Sequence, residues 1–179
     1  VLTEKGYSAV GVDEILQRTG ISRCSFYYYF KTKEGFGAEL IDRYRHFITQ
    51  KLERCLSDTS LSPLGSLRTF VGEVRDEMAR TDCRSGCLVG KLAQEVNTLP
   101  ENFREQLSAV FAEWQAVFAR GLKRAQETGE ISPELDCAST AAFFWYGWEG
   151  ALQRANLELN IKPVDISVSY THLRAHETS

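Results

Sequence analysis

The sequence predicts an all-α protein in two parts, a short N-terminal helix-turn-helix unit and a longer helical body. Three observations lead there. Apolar residues recur at 3/4 spacing along most of the chain, as in helices that bury one face, and no stretch alternates as a strand would. The breaks between these stripes are short and carry Gly, Pro, Ser or Thr. Residues 11–33, GVDEILQRTGISRCSFYYYFKTK, fold two such helices around a tight turn.

The first helix of that pair spans Val12 to Arg18, with Val12, Ile15 and Leu16 as its stripe. Thr19-Gly20-Ile21-Ser22 breaks it: Gly20 suits the left-handed position after a helix end, and Ser22 is a good N-cap. The second helix starts at Arg23. Two helices joined by a Gly-containing turn make the unit that lays its second helix in a DNA major groove. The composition of that helix fits double-stranded DNA. Arg23, Cys24 and Ser25 form a first turn able to reach base edges or phosphates. Tyr27, Tyr28 and Tyr29 point to three sides, so at least one meets solvent or a partner. Tyrosine hydroxyls donate to phosphates and their rings contact thymine methyls. Lys31 and Lys33 add positive charge beyond them. A surface helix pair in any all-α protein is the plainer reading of the same spacing.

The string GISRCSFYYYFKTKEGF, with GYSAVGVDEIL before it, resembles the DNA-binding signature of TetR-family repressors over residues 2 to about 40. The resemblance implies base contacts at Arg23, Cys24 and Tyr28, and phosphate contacts at or beside Ser25, Tyr27, Tyr29 and Lys33. Two positions depart from it. Val10-Gly11 stands where many members have a capping Thr or Ser, and Cys24 stands where many have Gly or Ala.

Downstream the chain is a run of helices. Phe36, Leu40, Tyr44, Phe47 and Cys55 mark a helix of about 33–56 that leads into the body. Asp58 to Pro63 is a loop, and Leu64, Leu67, Phe70, Val74 and Met78 form the next stripe, ending near Arg80. Thr81 to Gly86 is a polar break before a shorter helix with Leu88, Leu92, Val96 and Leu99. Pro100 suits the start of the following helix. That helix carries Phe103, Leu107, Val110, Phe111, Trp114, Val117, Phe118 and Leu122. Gly129 and Pro133 separate it from a last helix with Ala138, Ala141, Trp145, Trp148 and Leu152. Aromatics surround more than one face of the last helix, so burial on several sides is expected. A second subunit is the natural cover. The expected homodimer interface is therefore a four-helix one, as the resemblance implies, with Phe118, Trp145, Trp148 and Leu152 in it.

The segment GCLVGKLAQEV (86–96), and less sharply WYGWEGALQRA (145–155), resemble the TetR branch that includes the repressor of N-ethylmaleimide reductase and the acrylate-responsive regulator. In the reductase repressor the cysteine of this motif senses electrophiles and oxidants; the position here is Cys87. The local residues suit a reactive thiol. Cys87 falls at the first turn of its helix, where the dipole favours thiolate, with Lys91 at i+4 and Arg84 at i−3. Cys83 could resolve an oxidised Cys87. A small buried helix residue is the alternative for Cys87, and a reversible ligand among aromatics such as Phe111 and Trp114 is the alternative for sensing.

Composition bounds the rest. The chain has 179 residues, 43% of them hydrophobic and 25% charged, which allows one core of ordinary size. No apolar run approaches the ~18 residues of a membrane span, and no signal peptide is visible. Five cysteines without paired or metal-type spacing favour a reducing cytoplasm. No metal and no cofactor are expected. Residues 1–56 hold nine Lys and Arg against seven Asp and Glu, and the remainder holds twelve against seventeen, so the DNA end is the basic one. No Ser/His/Asp set or phosphate-binding Gly loop is visible, which excludes the common hydrolase and nucleotide-binding chemistries. A helical ligand-binding protein without DNA binding is the remaining rival.

The expected domains are a DNA-binding unit over 1–45, with a shortened first helix, and a ligand-binding and dimerisation body over 46–167. Residues 168–179 read as an adapter-derived, non-native tail without apolar period, and were set aside from the fold.

Overall fold

The computed structural model describes residues 2–173. Among the described residues there are nine helices and no strand: α1 Leu2–Lys5, α2 Val12–Thr19, α3 Arg23–Phe30, α4 Lys33–Ser57, α5 Pro63–Arg80, α6 Leu88–Gln94, α7 Glu101–Glu127, α8 Cys137–Glu158 and α9 Lys162–Leu173. They group into two compact units, one of residues 1–47 with 87–110, the other of 48–86 with 111–179. The first cut falls two residues from the expected division after residue 45. What the sequence pattern missed is that α6 and the start of α7 group with the N-terminal residues.

In the first unit, Val10, Ile15 and Phe26 form a buried centre, with Leu2, Val12, Leu16, Phe30 and Phe36 packed around it. Phe26 contacts Phe30 and Phe36 at centroid separations of 5.1 and 5.3 Å. Aromatic contacts of this kind contribute about 0.5–1.5 kcal/mol beyond area burial. Gly20 ends α2 at φ 69°, which frees the chain to reverse without a Cβ penalty. The buried stripe of α4 within this unit centres on Ile41. Phe47, expected on the inner face, lies about half exposed against Tyr44, because the stripe takes the phase of Ile41, Ile48, Leu52 and Cys55.

The second unit is built on aromatics. Trp114 stacks on Trp145 at 5.3 Å, Phe118 on Phe144 at 4.2 Å and Phe144 on Trp148 at 5.8 Å. Phe70 of α5 lies 6.4 Å from Trp145, and Met78 of α5, Leu122 of α7 and Leu152 of α8 are buried in the same unit. Each such side chain contributes roughly 1.5–3 kcal/mol by leaving water. This burial bears on the residues expected at the dimer interface. Phe118, Trp145, Trp148 and Leu152 are buried within the subunit itself, Trp148 at 1% exposure. The many-sided apolar pattern of α8 has another cause: one side fills the core, while Phe143 and Tyr146 remain 66% and 68% exposed on the other.

The helix α9 was not expected. Leu159 takes a left-handed φ of 50° to end α8, and Asn160 Oδ1 accepts the amide of Lys162 to begin α9. Val164 is then fully buried, and Arg75 of α5 donates to Asp165 at 2.8 Å. The helix continues through Leu173, past residue 168, where the sequence pattern predicts an end. Residues 174–179 of the set-aside stretch lie outside the described residues.

Candidate nucleic-acid interface

The geometry of α3 follows from its sequence. Ser22 sits at the N-cap in extended conformation, and its Oγ accepts the amide of Ser25 at 3.1 Å. The two hydroxyls, Ser22 Oγ and Ser25 Oγ, lie 2.9 Å apart. Such a cap stabilises a helix by about 1 kcal/mol. By contrast Gly11 caps α2 with no side-chain bond, as the departure at Val10-Gly11 implied. Phe26 and Phe30, four residues apart, turn inward. Tyr28 and Tyr29 are then forced outward, at 72% and 74% exposure. Tyr27 lies at the border, its ring edge-on to Phe26 at 5.3 Å. Lys31, at φ 62°, swings back over the Tyr28 ring at 5.4 Å. Cys24 is exposed. Arg23, Cys24, Ser25, Tyr28 and Tyr29 thus share the solvent-facing side of one two-turn helix, a surface of donors, rings and one cation.

Two features of this unit escaped the sequence. Arg23 is ion-paired with Asp13 of α2, so its guanidinium has a fixed resting place. Lys33 does not project from the surface as expected: its Nζ donates to the Tyr7 carbonyl at 2.8 Å and lies 4.3 Å over the Tyr7 ring. Tyr7 returns its hydroxyl to the Lys33 carbonyl at 2.8 Å. Burial, and then the charge of Glu34, push the Tyr7 phenol up to about 12. Beneath this pair, Glu95 at the end of α6 accepts the amides of Tyr7 and Ser8 at 2.9 and 2.7 Å. These partners are separated by 26 and by 87 or 88 positions, so no local pattern could signal them.

The sensing residues fall on both sides of the division between the two units. Cys87 and Lys91 belong to the first unit, and Phe111 and Trp114 to the second, where they meet edge-on at 5.8 Å. Cys87 is the N-cap of α6, one position earlier than the first turn, and its Sγ accepts the amide of Gly90 at 3.3 Å. The thiol is half-buried. Arg84 lies outside any helix, in the stretch between α5 and α6, so its i−3 spacing from Cys87 is not a helical one. Cys83 is buried in the turn after α5, and burial, with the charge of Asp82, pushes its thiol up. That disfavours it as a resolving thiolate. Among the described residues no His, Cys, Asp and Glu cluster could hold a metal, and no helix is long and apolar enough to cross a membrane.

Comparison with known proteins agrees with this architecture. Residues 1–40 match the family described as "Bacterial regulatory proteins, tetR family", and residues 63–170 match "Tetracyclin repressor-like, C-terminal domain". The transcriptional regulator AcuR of Cereibacter sphaeroides is 46% identical over 163 residues, covering 91% of this chain and 74% of that one. The crystal structure of a regulatory protein TetR from Rhodobacter sphaeroides superposes with TM-score 0.93 at 43% identity, covering 97% of this chain and 92% of that one. Escherichia coli NemR in its reduced form shares the fold, with TM-score 0.86 at 22% identity over 94% of this chain and 88% of that one. With a body profile covering more than half of its length and a relative so similar, the chain belongs to the tetR family: it is an all-α, TetR-type transcriptional repressor and not an enzyme.

Proposed function

We propose that the chain works in the cytoplasm as a homodimer, sets its two α3 helices into successive major grooves of a palindromic operator, and leaves DNA when an electrophile reacts at Cys87. The observation that carries the DNA half is the outward side of α3, where Arg23, Cys24, Ser25, Tyr28 and Tyr29 present donors and rings while Phe26 and Phe30 anchor the helix. A second copy would cover the outer side of α8, where Phe143 and Tyr146 are exposed and a Cβ at Gly147 or Gly150 would meet open space. The sensing half rests on Cys87, whose sulfur receives a backbone amide at a helix start, an arrangement that favours thiolate. Release requires that the alkylated protein prefer a conformation that cannot hold DNA.

One observation favours reversible sensing in the body instead. The indole N–H of Trp145 is buried and has no hydrogen-bond partner among the described residues. A ligand carbonyl or carboxylate beside it would fill that deficit. The experiment that tests the proposal is selection of an operator from random duplex DNA, followed by gel shift with N-ethylmaleimide. Loss of the shift in the native protein but not in Cys87→Ser supports covalent sensing. With Cys24→Ala in both proteins, so that alkylation at the DNA face cannot release the operator, equal behaviour of the two removes it and leaves the reversible reading.

A further inference from the structure

Glu95, the C-cap of α6, takes hold of the α1–α2 connection through its carboxylate. Both oxygens are used: Oε1 accepts the amide of Tyr7 at 2.9 Å and Oε2 the amide of Ser8 at 2.7 Å. The connection is shaped to receive it. Gly6 sits at φ 84°, and a Cβ there would collide with the carboxylate itself. A second bond, between Ser8 Oγ and Thr98 Oγ1 at 3.1 Å, runs alongside. From Tyr7 the contact passes on to Lys33, the first residue of α4, through the reciprocal bonds described above.

The electrostatics show that the grip is that of an anion. Burial by itself raises the Glu95 carboxyl, but hydrogen bonds from Ser8 and Tyr7, with the charge of Lys33, outweigh it and hold the group below the usual carboxylate range. A carboxylate between two backbone amides is both strong and directional, since the donors cannot rotate.

We infer that Glu95 is a positioning residue for DNA reading: its carboxylate pins the α1–α2 turn to the end of α6 and so fixes the orientation in which α2 and α3 are offered to an operator. The inference rests on the two-site operator reading proposed above. It concerns alignment and not contact, because Glu95 lies on no surface of α3.

The test uses the full chain with Glu95→Gln, which keeps size but replaces one acceptor by a donor facing a donor. Gly6→Ala reaches the same contact from the opposite side without touching the charge. Two measurements are made. Amide exchange at Tyr7 and Ser8, read without DNA, should quicken at least about tenfold in both variants relative to the native protein. Affinity is then compared for the selected operator and for the same operator with one base pair inserted between its halves. The native protein should prefer the unaltered spacing by about tenfold or more, and that preference should shrink several-fold in the variants, about the size of an ordinary coupling. A residue that merely stabilised the fold would weaken both operators by the same factor, and that result overturns the inference. Unchanged exchange at Tyr7 and Ser8 overturns the clamp even where DNA binding changes. Native protein that binds operator but ignores spacing overturns the two-site reading together with the positioning role, and is distinguishable because the exchange result stands independently of it.

Discussion

Lys33 and Tyr7 hold each other by both ends: the Lys33 ammonium donates to the Tyr7 carbonyl, and the Tyr7 hydroxyl donates to the Lys33 carbonyl, each at 2.8 Å. On this geometry we propose that Lys33 braces the unit instead of meeting phosphate. Lys33→Ala should therefore lower stability, by about 1.5–3 kcal/mol for a charged hydrogen bond. It should leave the slope of operator affinity against salt within about half a unit of the native value, because no phosphate contact is lost. Thermal unfolding and titrations at several salt concentrations check this. A slope reduced by a full unit with unchanged stability would return Lys33 to the phosphate backbone.

The same pair makes the first unit sensitive to alkali. Its phenol is raised from 10.0 to about 12, so the folded state favours the neutral form. The corresponding stability is fully present below pH 10 and is lost as the pH rises through about 12. Glu95 sets the opposite edge. Its carboxyl is held below the usual range, so its stability is present above the ordinary carboxylate value and disappears as pH falls through the lowered one. Tyr7→Phe should remove the alkaline loss while leaving the acid limb in place, as followed by fluorescence or circular dichroism.

Gly150 offers a clean probe of assembly, since a side chain there meets open space within its own subunit. Gly150→Arg should fold normally, even gaining up to about 1 kcal/mol of helix propensity, and should sediment as a monomer. Trp148→Glu, by contrast, places charge in the core and should unfold the subunit. A Gly150→Arg protein that remains dimeric would put the interface away from the outer side of α8.

Four of the five thiols should divide into two groups toward N-ethylmaleimide near neutral pH, with half-buried Cys137 between them. Cys55 and Cys83 are buried, and burial pushes both thiols up, so they should react slowly. Cys24 is exposed and Cys87 receives an amide at its sulfur, so these should react first. Operator DNA added beforehand should protect Cys24 and spare the reaction at Cys87. Brief labelling and mass spectrometry give the order; if Cys87 stays unmodified while Cys137 and Cys24 are labelled, electrophile sensing through Cys87 is lost.

Much of this architecture could be read locally. The helix from Arg23, its Ser22 cap and the Gly20 turn are all signals within four residues, and each is found where the sequence placed it. That at least one tyrosine of α3 would meet solvent was also legible; that Tyr28 and Tyr29 both do follows from Phe26 and Phe30 turning inward. What local pattern does not carry is contact between distant residues. The aromatic side of α8 looked like an interface because a sequence cannot tell which apolar face meets its own chain and which meets another. Lys33, Arg23 and Glu95 are engaged by Tyr7, Asp13 and the Tyr7–Ser8 amides, none of which is a helical neighbour. The helix α9 was passed over because only Val164 of its early turns is deeply buried, too sparse a stripe to register as a period.

The central claim, that the exposed side of α3 reads DNA, is tested most directly by operator titration with Tyr28→Ala and Arg23→Ala. Neither substitution touches the buried side of the helix. The native protein should bind its selected operator with a Kd on the order of 10 nM or tighter, weakening steeply as salt is raised. Arg23→Ala and Tyr28→Ala should each lose about 1–3 kcal/mol and relax the preferred sequence at one position of each half-site. Variants that fold normally, bind with native affinity and select the same operator would contradict the account.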